Sequence, residues 1–100
     1  MAARSINYLN VGFVPLVDHE MFEEHYANYG PTASVGLFVP SLDASEGTIN
    51  CTKKENNFVL IQGSNIIRLN SEEIDETKLR AAISMFNAFA RWVKKHESIG

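Results

Sequence analysis

The stretch that most constrains the fold covers residues 57–95, where two apolar runs flank a tight turn and lead into a long helical pattern. Gly63 and Ser64 separate the two runs, and glycine at the first central position is typical of a two-residue type II′ hairpin turn. Asn70 or Ser71 can then cap a helix, with Glu73 three residues after Asn70 as in a capping box. The stretch predicts a hairpin followed by a helix with an irregular first turn.

Beyond this cap, apolar residues recur at the three- and four-residue spacing of one helix face. They are Leu79, Ala82, Ile83, Phe86, Phe89, Ala90 and Val93. Met85 and Trp92 lie on the flank of the same helix and form a second apolar patch. The opposite side is polar and basic, with Arg80, Ser84, Asn87, Arg91, Lys94 and Lys95. The apolar stripe is predicted to face the core.

Three strands and one helix are predicted before the hairpin. We predict a strand over residues 5–14, bent near Gly12, a helix over residues 18–29, and strands over residues 35–39 and 48–53. With the hairpin and the long helix, the order is β-α-β-β-β-β-α. Short connections favour antiparallel pairing. The sequence therefore predicts one α+β domain, residues 1–100, with an antiparallel β-meander of about four to five strands, a short N-terminal helix and a long C-terminal amphipathic helix packed on the sheet.

The first hairpin strand is apolar at every position over residues 58–61, although a strand with one wet face should alternate. Both faces therefore need cover. The long helix can cover one, and the other needs the short helix, the first strand or a second copy of the chain. This argument predicts a homodimer. The residues assigned to the protein-interaction surface are Met85, Trp92, Phe58 and Leu60.

Charge is distributed unevenly along the chain. Residues 78–97 have a net charge of +4 and residues 1–77 a net charge of −7, which together give the overall −3. Acids at the start of a helix and bases at its end are favoured by the helix dipole, so the basic face has an ordinary explanation. The alternative function is nucleic-acid contact through Arg80, Arg91, Lys94 and Lys95. The acidic pI of about 5.5 argues against it, because nucleic-acid domains are more often strongly basic.

Few residues offer chemistry. Cys51 is the single cysteine, which excludes an intrachain disulfide, indicates a reducing compartment and favours a buried thiol. His19 and Glu23 lie four apart on the predicted short helix, but their spacing matches no zinc motif, and His25 falls on the apolar side. No nucleophile elbow or glycine-rich phosphate loop occurs in the sequence. We predict no catalytic residue, no metal and no cofactor.

These observations predict a small cytoplasmic, non-enzymatic protein that binds another protein. An accessory or inhibitor-like protein of bacterial or phage type fits the size, and the homodimer is its expected form. Nucleic-acid binding through the basic helix face is the first alternative. A small enzyme or ligand-binding domain around His19 and His25 is the second. No apolar run approaches the roughly 20 residues that a membrane helix requires, so no membrane partner is expected.

Overall fold

The computed structural model describes residues 19–35 and 41–99. These residues form two α-helices, five β-strands and two short 3₁₀ helices. The elements are α1 (His19–Tyr29), β1 (Thr32–Ala33), β2 (Leu42–Asp43), a 3₁₀ helix (Ala44–Glu46), β3 (Asn50–Lys54), β4 (Asn57–Gln62), β5 (Asn65–Asn70), a second 3₁₀ helix (Ser71–Glu73) and α2 (Glu76–Ile99). This arrangement confirms the α+β class, with a short helix followed by a long C-terminal one. The strand predicted over residues 5–14 lies outside the described residues.

The second half of the chain forms an antiparallel meander in the order β3-β4-β5. Two-residue turns join these strands, because Lys54 pairs with Asn57 and Gln62 pairs with Asn65. Gly63 opens the second turn with φ of 60°. Ser64 is not among the residues with positive φ, which distinguishes the predicted type II′ turn from type I′. Glu55 occupies the corresponding position of the first turn with φ of 52°, which is unusual for a residue with a side chain.

The long helix begins later than its sequence cap predicts. Asn70 does cap a helical segment, because its side chain accepts a hydrogen bond from the Glu72 amide at 2.9 Å, but that segment is the 3₁₀ turn. Ile74 is then extended, and Asp75 caps α2 by accepting hydrogen bonds from the amides of Thr77 at 2.9 Å and Lys78 at 3.3 Å. The irregular first turn is therefore a separate turn with its own cap.

The core lies between α2 and the inner face of the three-stranded sheet. All seven residues of the predicted apolar stripe on α2 are buried, which confirms that face as core. The sheet contributes Phe58 and Leu60, and Ile67 and Leu69 of β5 pack at the edge of the same cluster. Inward and outward positions alternate along β4, with Phe58, Leu60 and Gln62 buried.

A two-stranded ribbon, formed by β1 and β2, packs against the same core through Ala33 and Leu42. Thr32 pairs with Asp43 and Ala33 with Leu42. Of the strand predicted over residues 35–39, only Val35 belongs to the described residues. Val35 is buried outside any strand, and residues 36–40 lie outside the described residues. Between the strands predicted over residues 35–39 and 48–53, the chain forms β2 and a 3₁₀ helix. Buried Gln62 ties this segment to β4, because its Nε2 donates to the carbonyls of Asp43 and Gly47 at 2.9 Å.

Candidate functional site

The outer face of the three-stranded sheet carries an exposed apolar row. Register places Ile61 opposite Ile66, with Val59 one pair further along on the same face. Ile66 is 56% exposed and Ile61 is 38% exposed, and both belong to the few large exposed hydrophobic residues of the described chain. The remaining outward positions are polar, namely Asn50, Thr52, Lys54, Asn57, Arg68 and Asn70. This row is the apolar surface left over once the core has formed.

The two edges of this sheet differ in character. β3 carries two adjacent lysines, and Lys53 also lies 3.9 Å from a Glu76 carboxylate oxygen and 5.8 Å from the centre of the Phe58 ring. Lysines on an edge strand oppose pairing with another chain. β5 pairs only with β4 among the described strands, and its single charge is Arg68. The unprotected edge of the sheet therefore lies beside exposed Ile66.

Two residues assigned to the interaction surface from sequence are core residues. Phe58 and Leu60 are each 1% exposed and lie under α2. The prediction that these two residues lie on an exposed surface is therefore wrong. An unbroken apolar run does not show which alternate positions face inward. Val59 and Ile61 occupy the outer positions instead.

The Met85 and Trp92 flank of α2 is partly covered by the chain itself. Both residues are partly buried against the core. Trp92 lies 6.0 Å from the Phe22 ring and 5.7 Å from the Tyr26 ring of α1, measured between centroids, and stacks on His96 at 4.8 Å. The short helix therefore covers the Trp92 part of this flank. Trp92 contributes to the docking of α1, and its role as a contact for another protein stays a prediction.

One carboxylate joins three elements at the end of α2. Glu97 accepts a hydrogen bond from the Tyr26 hydroxyl at 2.9 Å and from the Ser45 hydroxyl at 2.9 and 3.0 Å. The Tyr26 hydrogen bond to the Glu97 carboxylate is the main cause that raises the pKa of this tyrosine above its ordinary value. A carboxylate near a helix C-terminus is unfavourable to the helix dipole, so these donors offset that cost. Their effect is to hold α1 and the first 3₁₀ helix against α2.

The basic side of α2 faces an open groove beside the start of β3. The groove has a volume of about 270 Å³ and is lined by Ile49, Asn50, Cys51, Arg80, Ile83, Ser84, Asn87 and Arg91. None of these lining residues is acidic. The structure thus brings Arg80 and Arg91 of the predicted basic face into one concave surface. It leaves Lys94 and Lys95 exposed on the same helix outside the groove lining.

Asn87 holds the two walls of this groove together. Its Nδ2 donates to the Ile49 carbonyl at 2.9 Å, and the Ile49 amide donates to its Oδ1 at 2.7 Å. The side chain therefore acts as a backbone partner for the segment that enters β3. Both of its polar atoms are used in this way, so Asn87 shapes the groove.

The two arginines of the groove differ in their partners. Arg80 Nε donates to Glu76 Oε2 at 2.8 Å, one helical turn earlier. This hydrogen bond is the main cause that lowers the pKa of the Glu76 carboxyl and raises the pKa of Arg80. Because only Nε is committed, the terminal amino groups of Arg80 keep their donors. Arg91 is exposed and forms no salt bridge within residues 19–35 and 41–99.

Cys51 lies on the strand wall of the groove and is half-buried, not fully buried as the sequence suggested. Burial is the main cause that raises the pKa of its thiol, and the nearby Arg80 charge opposes the effect. The thiol is therefore the protonated species at neutral pH.

Within the described residues, no three histidine, cysteine or carboxylate side chains lie close enough together to hold a metal ion. His25 is 7% exposed and its Nε2 lies 2.7 Å from the Thr32 carbonyl, so this nitrogen must carry the proton. Its ring meets Phe89 edge-on at 5.0 Å. His25 is thus a packed residue that connects α1 to β1. The side chain of His19 lies outside the described residues.

No family model, curated protein or solved structure matches this chain. Among the described residues, no helix is both long enough and apolar enough to cross a bilayer. The apolar row at the open sheet edge and the basic groove are the two surfaces that suggest a function.

Proposed function

We propose that the protein is a non-enzymatic protein-binding module that acts through the β5 edge and the outer face of its sheet, with a second copy of the chain as the occupant. The observation that carries this proposal is the pair Ile61 and Ile66, exposed beside a strand that has no partner on its outer side within the described residues. An accessory or inhibitor-like role in the cytoplasm is part of the same proposal.

A second copy fits this surface because the edge is self-complementary. Antiparallel pairing of β5 with β5 of another copy would join the two three-stranded sheets into one and bring the exposed isoleucines onto a common face. The lysines of β3 make the opposite edge unsuitable for the same contact. Registers that place Arg68 opposite its own copy are disfavoured by like charge.

The energies indicate a weak association. The exposed fractions of Ile61 and Ile66, 38% and 56%, amount to about one fully exposed isoleucine. Edge pairing leaves much of the outer sheet face open, so burial of this surface contributes at most roughly 1.5–3 kcal/mol per copy. Association costs at least about 4 kcal/mol in lost freedom, so the backbone hydrogen bonds of the paired edges must supply the remainder. We expect a concentration-dependent dimer rather than a permanent one.

Sedimentation velocity over roughly 1 to 500 µM, a range that spans weak affinities, tests the proposal. The wild type should shift from monomer to dimer. Ile66→Lys should remain monomeric, because it places a charge at the centre of the contact. Thr52→Lys is the matched control, since Thr52 is exposed on the same outer face but belongs to the opposite edge strand, and it should associate like the wild type.

A wild type that stays monomeric throughout, or an Ile66→Lys variant that still dimerises, would contradict the proposal. If the wild type stays monomeric but binds an extended segment of a different protein through β5, the module survives and the second copy is the wrong occupant. Far-ultraviolet circular dichroism on every variant separates these outcomes from loss of the fold.

A further inference from the structure

We infer that the groove between α2 and the start of β3 is a binding site for a phosphoryl group, with Arg80 and Arg91 as its charged donors. The site is independent of the proposed sheet-edge contact. Its ligand class is the phosphate ester, either as a small molecule or as the phosphodiester of a single-stranded nucleic acid.

Charge is the first argument. Arg80 and Arg91 line a concavity of about 270 Å³ that no acidic residue lines, and Glu76 beside it offsets part of the Arg80 charge but none of the Arg91 charge through a salt bridge. The surrounding chain is acidic, with a net charge of −3, so this concentration of positive charge departs from the average surface. A cleft lined by one sign of charge between low-dielectric walls strengthens the local potential and attracts the opposite ion.

The positions of the donors are the second argument. Glu76 fixes Arg80 through Nε and leaves the terminal amino groups of the guanidinium for a ligand. Arg91 has no carboxylate partner among the described residues, and Ser84 on the helix wall adds a neutral donor. A tetrahedral phosphate accepts hydrogen bonds from several directions, which suits the separate donors that line the helix wall.

The length of the groove bears on the source of the phosphate. Arg80 and Arg91 lie eleven residues apart on one helix, which is roughly 16 Å along its axis. A lone phosphate can contact one guanidinium closely and be attracted by the other at longer range, whereas consecutive phosphates can contact both closely. No aromatic residue lines the groove, and Phe89 is buried while Trp92 packs under α1. Any nucleic acid held here is therefore bound through its backbone and not by base stacking.

Cys51 provides a direct probe, because it is the single cysteine of the chain and lies in the groove wall. The experiment measures the rate at which maleimide alkylates Cys51 in the presence of inorganic phosphate, adenosine monophosphate or a single-stranded oligonucleotide, at ionic strength held constant with chloride. Bound phosphate should slow alkylation in a saturable manner. If inorganic phosphate and adenosine monophosphate protect Cys51 equally well, the ligand is a small phosphate compound. If the oligonucleotide protects Cys51 at much lower concentration, and this protection weakens as salt is raised, the ligand is the backbone of a single-stranded nucleic acid.

Arg91→Gln and Lys95→Gln form the matched pair for this test. Both remove one positive charge from the same face of α2, but only Arg91 lines the groove. Arg91→Gln should weaken protection about tenfold or more, since a charge-assisted contact is lost, while Lys95→Gln should change it less than about twofold.

Equal weakening by the two variants would show general attraction to the helix and overturn the site. Absence of protection by all three ligands in the wild type would overturn it as well. The alkylation rate of each variant without ligand, together with its circular dichroism, shows whether the groove itself is preserved.

Discussion

Replacing Asn87 by alanine is expected to destabilise the fold far more than its partly exposed position on a polar helix face suggests. The Ile49 amide and carbonyl both depend on the Asn87 side chain, at 2.7 and 2.9 Å. Ile49 is 3% exposed, so its backbone groups have little access to water in the folded state. Each buried group left without a partner costs about 1–3 kcal/mol.

The half-buried position of Asn87 lets water replace part of the loss, so we expect a total of roughly 2–3 kcal/mol. For a domain of this size that corresponds to a fall of about 10–20 °C in Tm. Urea unfolding followed by far-ultraviolet circular dichroism measures the change in the free energy of unfolding. Asn87→Asp keeps the acceptor and loses the donor, and should fall between alanine and the wild type.

Ser84→Ala is the matched control, since Ser84 lies one turn earlier in the same groove and is exposed. It should change the free energy of unfolding by no more than about 0.5 kcal/mol. If Asn87→Ala also stays within about 0.5 kcal/mol of the wild type, the two hydrogen bonds are not stabilising and the reasoning fails. A changed urea dependence in the variant would instead indicate an altered native or unfolded state.

Three further perturbations test other parts of the structure. Glu55→Gly should raise the free energy of unfolding by about 0.5–1 kcal/mol, and Tm with it, because glycine removes the cost of positive φ at this turn. An unchanged or lower Tm in calorimetry would contradict this. Glu97→Gln should lower the pKa of Tyr26 toward its ordinary value in an ultraviolet titration, with Tyr26→Phe identifying the signal. Because folding raises that pKa, its contribution to stability is present below pH about 10 and is lost as pH rises through the folded-state pKa. Arg80→Gln should raise the pKa of Glu76 in an NMR titration. Folding lowers the pKa of Glu76, so the contribution of this group to stability is present above the unfolded-state pKa of about 4.3 and is lost as pH falls through the folded-state pKa. If the titration of Glu76 is the same in the variant, the Arg80 hydrogen bond is not the cause.

Local signals account for the features of the fold that the sequence predicts. Gly63 specifies its hairpin turn because a positive φ is required there, and the three- and four-residue spacing on α2 identifies every buried residue of that face. The inward face of β4 escapes prediction, since four consecutive apolar residues are compatible with either alternation. Only the packing of α2 selects Phe58 and Leu60. The pairing of Ala33 with Leu42 escapes for another reason, because strands of two residues have no pattern to detect.

The groove likewise combines residues that the sequence predicts with residues that only the tertiary structure brings together. Its arginines are visible in sequence as a basic helix face, but the facing wall comes from β3, and no local pattern connects Cys51 to α2. Asn87 is a polar residue on a polar helix face, where solvent exposure is the usual expectation. It nevertheless makes the hydrogen bonds that join the two walls of the groove. Side chains that satisfy the backbone of a distant segment carry no periodic signature, and they are found only once the tertiary structure is known.

The two-residue turns of the meander also bear on how the chain reaches its structure. Each strand from β3 to β5 finds its partner after closing a loop of minimal length, so both hairpins can form early and quickly, in microseconds. The Glu97 contacts join segments far apart in sequence, because the hydrogen bond from Tyr26 spans 71 positions and the one from Ser45 spans 52. Such contacts close large loops and form last. The α1 region is therefore expected to open first under native conditions and to exchange its amide protons before the meander does.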